Sequence, residues 1–142
     1  MPNTPPQLVA GGTIYPSRFI TLSTTAEHTG DQATTNGQII GISDVGTNYP
    51  PLSDQVTTAQ PIATVGQPLP MFGDGEECLI EAGGVVTTGA DLKADSNGKA
   101  VVIATTGTTI QNIGAKALQA SSASGEFIRV QIQIRERRPA IA

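Results

Sequence analysis

A chain of 142 residues with a formal charge of −4 has the length of one domain and is too acidic for general nucleic-acid binding. Only 14% of its residues are charged, against about 25% in ordinary domains, and with 4% aromatics and no Trp its core must come mainly from Ala, Val and Ile. No apolar run approaches the roughly 20 residues of a membrane span, and the single Cys78 excludes an internal disulfide and a cysteine-based metal cluster.

Residues 1–17 carry Pro2, Pro5, Pro6, Gly11, Gly12 and Pro16. Proline removes donors and restricts its predecessor, so this stretch reads as an extended arm. It lacks the basic and apolar regions of a signal peptide, which predicts a protein made in the cytoplasm and not exported by the general secretory route. Leu8, Val9, Ile14 and Tyr15 exceed what a free linker needs. The segment is therefore either a disordered terminus or an arm that orders on a neighbouring subunit.

Ser17 to Ser23 predicts a strand, and the polar stretch 24–37 a loop. A short strand follows with Ile40 and Ile42 on one side, then a second long loop over 45–61. Loops of this length in a small domain are often binding surfaces. Two short strands are expected around the turn Gly73-Asp74-Gly75, and another around 85–95, bent at Gly89. Asp95-Ser96-Asn97-Gly98 is a hairpin signal leading into KAVVIAT, and TGTT makes the next turn. Ala115 to Ala120 suits a helical turn or a strand, with SSASG as the turn that follows. In Phe127 to Arg135, Ile128, Val130, Ile132 and Ile134 alternate with Arg129, Gln131, Gln133 and Arg135. A period of two predicts a strand with one buried and one wet face. Short strands between Gly-rich turns give an all-β fold, a small β-barrel or β-sandwich. The expected organisation is an arm over 1–17 and a single β domain over 18–142 with a short basic tail. Such a thin core points to support from oligomerisation or docking, or to an ordinary small barrel of Val and Ile.

Catalytic constellations are weak. Glu76 and Glu77 stand beside a Gly-rich turn with Glu81 nearby, but adjacent strand residues face opposite ways and GDGEE lacks calcium-loop spacing. His28 lies in a polar loop without a G-x-S-x-G partner and reads as a surface histidine. Cys78 in ECLIEA reads as a buried structural thiol. No glycine pattern matches a phosphate cradle. The expectation is no enzyme, no cofactor and no metal site. The RERR run from Arg135 to Arg138 either pairs with an acidic partner surface or is a solvated terminus.

ECLIEAGGVVTTGADLKADSNGKAVV followed by GAKALQASSASGEFIRVQI resembles the capsid decoration (cement) proteins of tailed bacteriophages. The shared pieces are Ile80 to Leu92, Asp95 to Val101 and Gly114 to Val130; SRFITLS and IIGISDVGTNYPPLSD resemble the family's first half. The arm over 1–16 and the tail after Ile134 depart from the family. The resemblance implies a structural virion protein on the outer surface of an icosahedral capsid, commonly a homotrimer, that clamps neighbouring major capsid protein subunits. It implies no catalytic residue, and no nucleic-acid or membrane partner is expected. Candidate contact residues with the shell or an adjacent protomer are Leu8, Val9, Ile14, Tyr15, Arg135, Arg137 and Arg138. The competing reading is a carbohydrate- or receptor-binding module of a head or tail fibre, against which the scarcity of exposed aromatics argues. A trimeric enzyme with a shared site is a further alternative that lacks a base, nucleophile or metal cluster.

Overall fold

The computed structural model describes residues 8–35, 37–44, 62–104 and 110–137. The fold is all-β, with two five-stranded sheets. The first contains β1 (Val9–Ala10), β2 (Phe19–Leu22), β3 (Thr29–Gln32), β4 (Gly41–Ser43) and β5 (Met71–Phe72), ordered β1-β3-β2-β4-β5. The second contains β6 (Glu77–Glu81), β7 (Asp91–Ala94), β8 (Ala100–Val102), β9 (Gln111–Ala117) and β10 (Phe127–Arg137), ordered β6-β10-β9-β7-β8. Among the described strand pairs β1–β3 alone is parallel. The second sheet curls into a half-barrel whose two edges touch where Ala82, just after β6, bridges Ala100 of β8. There the Gly83 N–H donates to the Ala100 carbonyl, at 2.7 Å.

Alternation explains how the layers stack. On the first sheet Phe19, Ile42 and Phe72 face one cluster, while Ile20, Ile40 and Met71 face another. A sheet buried on both faces is a middle layer. One face meets Cys78, Ile80, Leu92, Ala115, Ile128, Val130 and Ile132 of the half-barrel in a shared core. The other, which includes Ala10 of β1, is covered by Ile14, Ile62, Ala63 and Leu69. Residues 8–14 thus pack on their own chain, tied to 62–69 by bonds such as Ile14 N–H to the Ala63 carbonyl, 2.9 Å.

Several local expectations shift. The stretch 24–37 holds β3, because β2 and the segment at 8–10 supply the partners that its polar sequence does not advertise. Ile40 and Ile42 face opposite clusters, as residues two apart on one regular strand would not; β4 itself begins only at Gly41. Gly73-Asp74-Gly75 does link two strands, but they belong to different sheets. The stretch after Ala115 continues β9 as strand to Ala117. In β10, Ile128, Val130 and Ile132 are fully buried, whereas Ile134 is 38% exposed. A register shift between Ile132 and Arg135 breaks the alternation there. The loop over 45–61 and the turn at TGTT lie outside the described residues.

The two sheets are joined at a polar seam. Arg18, at the start of β2, places Nη2 3.5 Å from Glu81 Oε1, and Lys99 Nζ is 2.8 Å from Glu81 Oε2. Arg18 Nη1 donates to the Asn97 carbonyl at 2.7 Å, and its guanidinium lies over the Tyr15 ring at 5.5 Å. The Glu81 N–H donates to the Ser17 carbonyl, capping the free edge of β6, and the Phe19 N–H donates to the Gly98 carbonyl. Behind the seam the Phe19 ring abuts the backbone of Gly114, where an added Cβ would lie 2.6 Å from Cε1.

Candidate interaction surface

The adjacent strands β6, β10 and β9 project a row of side chains away from the core. Arg129 is opposite Leu79 in β6, and the Leu118 N–H donates to the Arg129 carbonyl across the other pair. Register therefore sets Leu79, Arg129 and Leu118 side by side on one face. Leu79 and Leu118 are 42% and 41% exposed, a large apolar exposure for strands so well paired. The next row is Glu77, Gln131, Lys116 and Asp91, again by direct register.

A polar ladder extends this face along β10. Gln133 Nε2 donates to Gln131 Oε1 at 3.0 Å, and Arg135 Nη1 to Gln133 Oε1 at 2.6 Å. Arg135 Nη2 completes the ladder in an ion pair with Asp91. Each of these groups is partnered yet reachable from solvent. Such a rigid face of mixed character suits contact with another protein surface.

The residues singled out from sequence fall in separate places. Leu8 and Val9 are half-buried on the first sheet, where the Leu8 carbonyl accepts from Leu69 N–H and the Val9 N–H donates to the His28 carbonyl. Ile14 is fully buried and has no exposed surface to offer a partner. Tyr15 is half-buried beneath Arg18, its N–H donating to Gln32 Oε1 at 3.1 Å. Arg135 is on the second sheet, exposed and paired with Asp91. Arg137 pairs through its backbone with Gln111, and Arg138 lies outside the described residues.

The carboxylates do not converge. Glu76 is exposed and closes the turn, its Oε1 accepting from the Gly73 N–H; Glu77 is exposed in the outward row; Glu81 is buried in the seam. Among the described residues no three His, Cys, Asp or Glu side chains gather as a metal site. His28 is exposed with φ 51°. Burial pushes the Cys78 thiol up to about 12, with Glu76 and Asp44 adding to the effect, so it is a poor nucleophile. Glu126 is held below the usual carboxylate range by the Ser122 hydroxyl first, then by the Ser122 and Ala123 N–H groups. Shallow depressions accompany these features; one of about 200 Å³ is lined by Ile39, Ile113, Ile134 and Arg135. Sequence reasoning missed Leu79 and Leu118 as surface residues. In ECLIEA and AKALQ they look like core positions, and only strand register turns them outward.

No family model and no curated protein matches this sequence. Among solved structures the chain is similar to the head fiber gp8.5 N base in bacteriophage phi29. The likeness covers 96% of each chain with a TM-score of 0.52 at 14% identity, and it shows a shared fold.

Proposed function

We propose that this chain is a structural protein of a tailed-phage virion that docks on the outside of the capsid as a homotrimer. There it stabilises contacts between major capsid protein subunits. The work is binding, without catalysis, cofactor, nucleic acid or membrane. The observation that carries this reading is the end-to-end fold likeness to a phage head-fiber base. The sequence resemblance to cement proteins supports it independently. The contact surface is the outward row of Leu79, Arg129 and Leu118, with Arg135 at its margin: many modest contacts repeated by symmetry give avidity without a deep pocket.

The same likeness favours a second reading, in which the domain is a base that anchors a fibre to the head. Light scattering combined with co-sedimentation on purified expanded shells tests both. A trimer that pellets saturably and raises the temperature of shell disruption supports the cement role. Saturable binding without a gain in shell stability selects the fibre base. A monomer that ignores shells and binds a glycan refutes docking on the capsid.

A further inference from the structure

The turn between β7 and β8 contains an Asn-Gly pair, the dipeptide whose side-chain amide is least shielded from attack by the next backbone nitrogen, because glycine has no Cβ. Asn97 is exposed, yet its main chain is a joint of the fold. Its carbonyl accepts from Arg18 Nη1 at 2.7 Å and from Gln32 Nε2 at 2.9 Å, both on the first sheet. Gly98 is buried with φ +76°; its N–H donates to the Asp95 carbonyl at 3.2 Å, and its carbonyl accepts from Phe19 N–H at 2.8 Å. A Cβ on Gly98 would meet Gln32 Cγ at 2.9 Å and the Ala33 and Phe19 carbonyls at 3.2 and 3.3 Å. Only glycine seats here, so the fold retains the most labile neighbour an asparagine can have.

We propose that Asn97 is a site of spontaneous deamidation gated by the seam between the two sheets. The Gly98 nitrogen, losing its proton to solvent base, attacks Asn97 Cγ. A C–N bond forms, the bond from Cγ to the amide nitrogen breaks, and ammonia leaves with a proton. Water then opens the cyclic imide at either carbonyl, yielding aspartate or isoaspartate. No oxidant or further reactant is needed. Ring closure requires the Asn97–Gly98 peptide to rotate until its nitrogen reaches Cγ. That rotation withdraws the Asn97 carbonyl from Arg18 and Gln32 and the Gly98 carbonyl from Phe19. The seated turn is therefore protected, and reaction proceeds from the open seam. Isoaspartate lengthens the main chain by one methylene where two carbonyls must meet three donors, so the modified seam does not reseat. The modification is a one-way record of seam opening.

The test incubates the full chain in mildly alkaline buffer, native and unfolded in urea, with peptide mass mapping and isoaspartate detection at Asn97. Native conversion is expected to be at least about tenfold slower than unfolded conversion, the factor given by a local opening free energy of 1.4 kcal/mol. Arg18→Met and Gln32→Ala each raise the native rate several-fold; the half-buried Gln32 keeps the test available should Arg18→Met fail to fold. The separated isoaspartate form melts at a lower temperature than the parent. Equal native and unfolded rates, or native rates unchanged in the folded variants, overturn the gating. Absence of conversion in the unfolded chain overturns the site.

Discussion

Replacing Glu81 with Gln removes a charge and keeps the shape, so its cost isolates the electrostatics of the seam. Glu81 and Arg18 are 2% and 5% exposed as side chains, whereas Lys99 is 22% exposed. In the variant Lys99 can swing its ammonium to water, but Arg18 cannot. It keeps the Asn97 carbonyl and the Tyr15 face, and Nη2 loses its counter-charge. Leaving one partner of a buried ion pair uncompensated costs about 3–5 kcal/mol. That is a large share of the roughly 5–15 kcal/mol that holds a domain together. Urea denaturation followed by circular dichroism measures it, and Arg18→Met, Glu81→Leu and the double variant Arg18→Met/Glu81→Leu form a double-mutant cycle. Replacing both charges by apolar side chains should recover most of the loss, since neither then needs hydration. A Glu81→Gln loss under about 1 kcal/mol would refute the reasoning, because water must then reach the network and screen it.

Gly114→Ala drives a Cβ to 2.6 Å from the Phe19 ring and should cost about 1–3 kcal/mol, read as a lower urea midpoint. Ile14→Ala should cost about 2–5 kcal/mol, because this fully buried residue fills its own domain's core; deletion of residues 1–16 should therefore impair folding as well as any docking. The folded pKa of Glu126 is depressed, so its turn contributes stability above the unfolded carboxylate range and loses it as pH falls through the folded value; Glu126→Gln should flatten that acid limb. The Cys78 thiol is raised to about 12, so it should resist alkylation until the chain unfolds, and stability should decline above pH 9.0, where the unfolded thiol ionises first. Leu79→Asp with Leu118→Asp should leave the fold intact and abolish shell co-sedimentation; retained binding would move the contact elsewhere.

Much of the fold was legible in the chain because strand formation is local. Alternation over Ile128 to Ile132, the Asp95-Ser96-Asn97-Gly98 turn and the Gly-rich breaks each act within a few residues, and each appears in the structure. Alternation failed where register shifted, at Ile134, and polarity misled where tertiary partners created β3 from a stretch that lacks a strand's pattern. Of the candidate surface, the wet face of β10 from Arg129 to Arg135 was legible from alternation, and Arg135 alone was singled out as a contact residue. Leu79 and Leu118 carry the same apolar signal as core residues, and exposure depends on which face the neighbouring strands cover.

By itself, then, the sequence determined an all-β chain with a small-residue core and no recognisable catalytic motif, since composition and period-two patterning are properties of short windows. Tertiary structure alone decided that residues 8–14 belong to the chain's own core and that Glu81 is buried. It alone brought Arg18 to Asn97, 79 positions away, to close one sheet on the other. Such contacts depend on how two sheets dock, and docking is set by the summed burial of Phe19, Ile42 and their partners, which no window of sequence contains.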